Sequence, residues 1–347
     1  MNIFLYGFSN SGKTTIYNLI SKKHQSPSAN FTAEMEPVVG TSIVIDERIK
    51  ELKKYFPNRE EKYTQVQITD YLGLLKEPKH NKLIFNMALK YDFLLFVIRN
   101  FKNEEVPSPI DEVNPLKEFK LLHQELLLYD LQIVEKRLES ITEMEKKGKK
   151  GDPKEKEFLE KFKISIEKGE LLFNLKEEKK RFVHLNFFSF FPFYVLINSD
   201  FEKKENELIS YLKDKNIPYS IVYGKVEEEA EELGEEGKEW LSSYGIERNF
   251  RDWFLQEFFK KLGYISFITI SDKEIKSWLL EDGKNAYEAA GKIHSDIQKG
   301  FIKAEVLNFN DFLKYNDFHR AREAGALKYE GKEYKVKDGD IIYFRFH

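Results

Sequence analysis

The sequence predicts an α/β protein built on a mostly parallel sheet, and three observations carry that expectation. Continuous apolar runs at Phe93 to Ile98 and Phe193 to Ile197 have the character of strands buried on both faces. Helical patterns such as Lys82 to Lys90 and Glu205 to Lys213 fall between runs of this kind, as the crossovers of parallel strands require. A chain of 347 residues also has room for about two or three domains at roughly 100 to 200 residues each. With 41% hydrophobic residues, including 30 Phe and 18 Tyr, each domain can bury a core, which excludes a disordered chain.

Taken in order, Ile3 to Tyr6 is a short apolar run ending at Gly7, and Ile16, Leu19 and Ile20 then take helical spacing. The opening therefore reads strand, glycine turn, helix. Val66-Gln67-Ile68 leads into Asp70 as a further strand, and Tyr219 to Tyr223 repeats the buried pattern. Between the strands at Phe93 and Phe193, Leu127, Leu131, Val134, Leu138 and Ile141 recur at alternating spacings of four and three, the seam of a coiled coil. Gly148-Lys149-Lys150-Gly151-Asp152-Pro153 interrupts that seam, and Phe158, Phe162 and Ile166 begin a second stripe. An antiparallel helical hairpin turning near residue 150 is predicted. Val226 to Trp240 predicts an acidic helix, and Phe250 to Leu262 a helix rich in aromatics. A compact C-terminal unit begins near Ile268. Its end, Tyr334 to Val336 and Ile341 to Phe346 around Lys337-Asp338-Gly339-Asp340, predicts a hairpin with an Asp-Gly turn. The expected domains are 1–115 with 186–267, an inserted hairpin at 116–185, and 268–347.

No Cys occurs, which excludes disulfides, thiolate zinc sites and a cysteine nucleophile and fits a reducing compartment. The longest apolar stretch, Phe187 to Ile197, is broken by Ser189 and Pro192 and is far short of the ~20 residues that span a bilayer. Met1 to Tyr6 has no basic region ahead of it, so a signal peptide is not expected and the protein reads as cytoplasmic. A formal charge of -3 points to neither DNA nor a membrane surface. The hairpin tip is the exception, with six Lys against two acidic residues from Lys146 to Lys156, either a solvated loop or a contact for RNA phosphate.

Gly7-Phe8-Ser9-Asn10-Ser11-Gly12-Lys13-Thr14 matches G-x-x-x-x-G-K-[ST] in the strand-to-helix context that the motif requires. In such a loop successive backbone N–H groups and the helix N-terminus surround phosphates, the lysine reaches the β and γ phosphates, and the threonine hydroxyl ligates Mg²⁺. Asn10, Ser11, Gly12, Lys13, Thr14 and Thr15 are the nucleotide-binding candidates from this segment. Asp70-Tyr71-Leu72-Gly73 follows a strand and supplies an acid for the metal, with Gly73 able to offer its N–H to the γ-phosphate. Lys13, Asp70 and Gly73 are the catalytic candidates, and Thr14 and Asp70 the metal ligands. Leu74 occupies the place where many GTPases carry a glutamine that positions water. For the base, the strand Phe193 to Ile197 ends in Asn198-Ser199-Asp200-Phe201-Glu202, which lacks the Lys and the fourth-position Asp of a guanine-specific N-K-x-D. Asn198 and Ser199 are the candidates there, although a strand-capping asparagine would look the same.

With these motifs in place, the sequence resembles the YchF branch of the Obg-like P-loop NTPases over essentially its whole length. The most specific stretch is Ala289-Ala290-Gly291-Lys292-Ile293-His294-Ser295-Asp296-Ile297-Gln298-Lys299-Gly300-Phe301-Ile302-Lys303-Ala304-Glu305-Val306, followed by Glu323-Ala324-Gly325 and Val336-Lys337-Asp338-Gly339-Asp340, which is similar to the family's TGS domain. Asp130 to Leu138 resembles the start of the family's helical hairpin, and Val97-Ile98-Arg99-Asn100-Phe101 the strand before it. The resemblance implies a P-loop core, an inserted coiled-coil arm, a β-grasp TGS domain, ATP in preference to GTP, and association with the ribosome or its RNA. Several positions depart from the family pattern. Glu202 arrives one residue late for the base motif N-x-x-E, and the first switch leaves either a shifted Thr32 or Glu34 as second Mg²⁺ ligand. Glu77 to Lys82 lacks the glycines usual after D-x-x-G, and Val106-Pro107-Ser108-Pro109 lacks a histidine thought to assist hydrolysis. Leu74 agrees with the family. The expectation is a Mg²⁺-dependent ATPase switch with slow turnover, set against a non-hydrolysing ribosomal adaptor and against a GTPase. His294 and His319 are assigned no chemistry, and Phe187, Phe188, Phe190 and Phe191 read as core beside a buried strand.

Overall fold

The computed structural model describes residues 1–21, 36–75, 78–110, 112–149, 151–170, 176–201 and 207–347. The strands are β1 (Asn2–Tyr6), β2 (Val38–Val44), β3 (Glu60–Lys62), β4 (Thr64–Asp70), β5 (Phe93–Asn100), β6 (Phe193–Ser199), β7 (Tyr219–Val222), β8 (Tyr264–Ile270), β9 (Glu274–Glu281), β10 (Phe301–Asn308), β11 (Lys328–Glu330) and β12 (Asp340–Phe346). The helices run α1 (Lys13–Ser21), α2 (Glu47–Tyr55), α3 (Pro78–Ala88), α4 (Pro115–Lys146), α5 (Pro153–Glu167), α6 (Lys176–Phe182) and α7 (Glu207–Asp214). They continue as α8 (Gly224–Glu232), α9 (Gly237–Ser243), α10 (Phe250–Lys261), α11 (Ala286–Ile293), α12 (Ser295–Lys299), α13 (Phe309–Tyr315) and α14 (Phe318–Glu323). The chain divides into two compact units, Met1–Thr41 with Gln67–Glu247 and Ser42–Val66 with Arg248–His347.

The first unit is organised by a sheet of order β2-β4-β1-β5-β6-β7, in which β1 pairs parallel with β4 and β5, β5 with β6, and β6 with β7. Every residue of β5 is buried, which is why its sequence is a continuous apolar run without alternation. The order reverses at β1, so the loops leaving β1, β4 and β5 gather at one edge, where open α/β sheets place their ligands.

The predicted hairpin is α4 and α5. Asn114 caps α4 by accepting Lys117 N, Asp152 caps α5 by accepting Lys154 N, and each helix opens on a proline whose missing N–H has no partner to lose. Leu127, Val134 and Ile141 are buried against Leu159, Phe162 and Ile166, with Leu131, Leu138 and Phe158 half-buried beside them. Phe187 and Phe190 join this core and Phe188 joins the core under the sheet, so the aromatic run is packing. Arg137 grips Glu155 through two hydrogen bonds of 2.7 and 3.0 Å, pinning the register of the two helices.

The acidic segment from Val226 is two helices, α8 and α9, not one. Gly234 takes φ +58° between them, and a Cβ on Gly237 would stand 2.1 Å from Ala230 O, so glycine permits both the turn and the close return.

In the second unit the sheet order is β11-β10-β12-β8-β9-β3. Antiparallel β8 and β9 lead to α11, and β12 then enters parallel to β8 and antiparallel to β10, a β-grasp arrangement. Residues 42–66, expected with the rest of 1–115, fall in this unit: Ile49 and Leu52 of α2 share a core with Ile268, Ile275 and Ile341, and β3 extends the sheet by pairing with β9. The C-terminal part of the unit begins at Arg248, ahead of the expected Ile268, and so includes α10; its first strand, β8, starts at Tyr264. The terminal hairpin is also different. Asp340 accepts Tyr334 Oη and Lys337 N at 2.8 Å each and Gly339 takes φ +81°, so the Asp-Gly turn forms, but it feeds β12 toward β10 and β8. Among the described residues no helix is long and apolar enough to cross a membrane.

Candidate nucleotide site

The loop from Gly7 to Gly12 leaves β1 and turns into α1 with two residues at positive φ, Asn10 at 65° and Gly12 at 91°. Asparagine tolerates the left-handed region, while Gly12 is required twice over: a Cβ there would lie 2.2 Å from Asn198 Nδ2. Gly7 is constrained by space alone, since its Cβ would meet Val97 O at 2.7 Å. Lys13 is buried in the first turn of α1 and donates to Phe8 O at 2.8 Å, which curls its ammonium back over the loop. Burial lowers the Lys13 pKa, and the carboxyls of Asp70 and Glu118 oppose that shift. The first-turn N–H groups of α1 have no intrahelical acceptors, which suits the loop to an anion. Thr15 is half-buried beside Thr14.

The end of β4 brings the second motif to this loop. Leu74 N donates to Gly7 O at 3.0 Å and Ser9 N to Leu74 O at 3.1 Å, which pins the D-x-x-G turn beside the phosphate loop. A Cβ on Gly73 would lie 2.4 Å from Ser9 N and 2.6 Å from Lys13 Nζ, so only glycine fits. Thr14 Oγ1 donates to Asp70 Oδ2 at 2.7 Å, uniting the two metal candidates. Asp70 is 8% exposed, and burial raises its pKa despite the Lys13 charge and the Thr14 hydrogen bond. Its Oδ1 is buried without a partner, as is Ser11 Oγ. A hydroxyl and a carboxylate with an unsatisfied oxygen form a hard oxygen donor set that fits Mg²⁺, a cation that takes its remaining ligands from water and phosphates. Among the described residues no group of three or more acidic or His side chains forms a fuller cage.

Asn198 is buried at the end of β6, where its Nδ2 donates to Ser11 O at 3.3 Å and its Oδ1 accepts Gly224 N at 3.2 Å. Both ends of the amide thus brace the phosphate loop and the start of α8. Ser199 Oγ accepts Asn100 Nδ2 at 2.9 Å and donates to Asp200 O at 3.1 Å. Thr32, Glu34 and Glu202 lie outside the described residues.

Arg99 at the end of β5 is a central residue to which sequence reasoning gave no role. Its guanidinium, buried to 1% exposure, donates to the carbonyls of Asn10 at 3.2 Å, Phe101 at 3.2 Å, Val106 at 2.7 Å and Pro107 at 3.3 Å, and lies 4.5 Å over the Phe101 ring. Asn10 Nδ2 also donates to Pro107 O at 3.2 Å, so the segment without the histidine is fastened to the phosphate loop. Arg99 N in turn donates to Glu118 Oε1 at 3.2 Å, and burial pushes Glu118 up to about 8. The available signal was a cation closing an otherwise apolar buried strand, since such a charge needs dedicated partners.

A family profile described as YchF-GTPase_C, a protein of unknown function (DUF933), matches residues 264–347. The ribosome-binding ATPase YchF of Bacillus subtilis (strain 168) is 30% identical over 360 aligned positions, covering 99% of this chain and 98% of the relative. The protein of the same name from Escherichia coli O157:H7 is 29% identical with the same coverage. Among solved structures, the YchF GTPase of Schizosaccharomyces pombe superposes with a TM-score of 0.82 at 22% identity, covering 99% of this chain and 97% of that one. A GTP-binding protein of Pyrococcus horikoshii OT3 gives 0.62 at 16% identity, with both chains covered completely. The phosphate loop, the fold and the full-length likeness agree: the chain belongs to the YchF family of P-loop NTPases.

Proposed function

We propose that this protein is a Mg²⁺-dependent, ATP-binding switch that hydrolyses ATP slowly and works in association with the ribosome. The observation that carries the reading is the pre-assembled phosphate site, in which Thr14 and Asp70 are joined at 2.7 Å and Gly73 is packed on Ser9 and Lys13. In this site the loop amides and Lys13 would hold the β and γ phosphates, Thr14 and Asp70 would hold Mg²⁺, and Gly73 N–H would be available to the terminal phosphate. The metal, when bound, neutralises charge that develops between those phosphates. ATP is favoured over GTP because the chain after β6 has no aspartate at the fourth position of its base segment to accept guanine's donors. The ribosome is carried over from the full-length relatives, which are ribosome-binding ATPases, and the cytoplasm from that partner.

Slow turnover follows from the residues around the terminal phosphate. Leu74 is fully buried and cannot orient water, and the carbonyls of Val106 and Pro107 are held by Arg99. That observation also favours a second reading, a non-hydrolysing adaptor that uses nucleotide only to fix its conformation. Phosphate release over multiple turnovers separates the two. The switch reading predicts slow, Mg²⁺-dependent release that Asp70→Asn abolishes, whereas wild-type protein that binds ATP and releases no phosphate is the adaptor.

A further inference from the structure

Within the second unit a cavity of about 270 Å³ opens beside the sheet, far in sequence from the phosphate loop. Phe56, Ile270, Leu307 and Ile341 give it apolar walls, and Arg59, Arg322, Arg345 and Glu305 are the charged groups that line it. Glu305, with 10% of its side chain exposed, accepts Arg345 Nε at 2.8 Å and faces Arg322 Nη2 at 3.5 Å. The longer contact leaves Arg322 weakly held. Arg59 has no ion pair among the described residues, and its guanidinium lies 4.4 Å from the centroid of the Phe56 ring. Three guanidinium groups against one carboxylate leave an excess of two positive charges on an apolar chamber.

We propose that this cavity is a binding site for a small organic anion, with a flat apolar body and a phosphate or carboxylate head. The body lies against Leu307, Ile341 and the Phe56 ring, where it removes apolar surface from water. The head meets Arg59 and Arg322, whose planar forks match either oxyanion with paired hydrogen bonds. A cavity at the lower edge of the ~300–1,000 Å³ usual for ligand sites suits a body of one or two rings. Glu305 holds the arginines in place before the ligand arrives and competes with it for their charge.

Calorimetry on the full-length protein tests this with 2-naphthyl phosphate, 2-naphthoate, the neutral 2-naphthol and inorganic phosphate. At least one naphthyl anion is expected to bind about tenfold more tightly than either 2-naphthol or inorganic phosphate, and the stronger of the two heads identifies the natural one. Arg59→Gln and Arg322→Gln should each weaken it severalfold, while Glu305→Gln should tighten it by releasing two guanidinium groups, a gain that damage to the fold cannot produce. Lys13→Ala should leave it unchanged, so the outcome is independent of nucleotide binding. Equal affinity for 2-naphthol and both anions, or an affinity untouched by Arg59→Gln and Glu305→Gln in folded protein, overturns the proposal.

Discussion

Arg99 ties the Asn10 carbonyl of the phosphate loop to the segment after β5, and through its own N–H it meets Glu118 on α4. Lysine has one compact donor group where arginine has a fork. Arg99→Lys is therefore expected to leave several of those carbonyls unpaired, costing about 1–3 kcal/mol in denaturant unfolding and weakening ATP binding with it. Unchanged stability and affinity would mean that the loop holds its shape without the clamp. Glu118 carries a pH signature. The folded protein keeps its proton up to about pH 8, whereas the unfolded chain releases it near 4.5. This group consequently lowers stability as pH rises between those values, by at most ~1.4 kcal/mol per pH unit. Glu118→Gln keeps the acceptor and removes the titration. The variant should match wild type below pH 4.5 and become progressively more stable than wild type toward pH 8, as read by urea unfolding at each pH. Gly12, Lys13 and Thr14 could be picked out from sequence because the spacing of a phosphate loop is local, and Asp70 because a D-x-x-G run closes an apolar strand. Arg99 and Glu118 were not, because their partners stand 89 and 19 residues away.

At the scale of elements, the hairpin was the most readable feature, since a seam of alternating fours and threes has few other uses. The break between α8 and α9 was not, because Gly234 and Gly237 gain meaning only from the close return onto Ala230. The terminal hairpin failed for a related reason: an Asp-Gly turn shows where a chain reverses, not which strand it will meet. At the hairpin tip Lys146, Lys147, Lys149 and Lys154 are exposed, while Lys156 is paired with Glu145 at 2.9 Å. Lys150 lies outside the described residues. If the exposed four meet ribosomal RNA, each contact releases condensed counterions. Reversing these four to Glu should weaken cosedimentation with ribosomes and flatten its salt dependence, with ATP affinity unaltered. Superimposable salt curves for the two proteins would remove the tip from the interface.

For the molecule as a whole, the parallel core and the C-terminal β-grasp unit could be read from strand character and from the family resemblance. The transfer of residues 42–66 to the second unit could not, because Ile49 and Leu52 look like any amphipathic helix until their partners on β8 and β9 are seen. ATP is expected to be held by the phosphate loop and preferred to GTP through the base segment after β6, and calorimetric titration of both nucleotides with Mg²⁺ into wild type and Lys13→Ala tests both most directly. One saturable ATP site, at least about tenfold tighter than GTP and lost in a Lys13→Ala protein that remains folded, is the predicted result. Tighter binding of GTP, or equal ATP affinity in the two proteins, would contradict it.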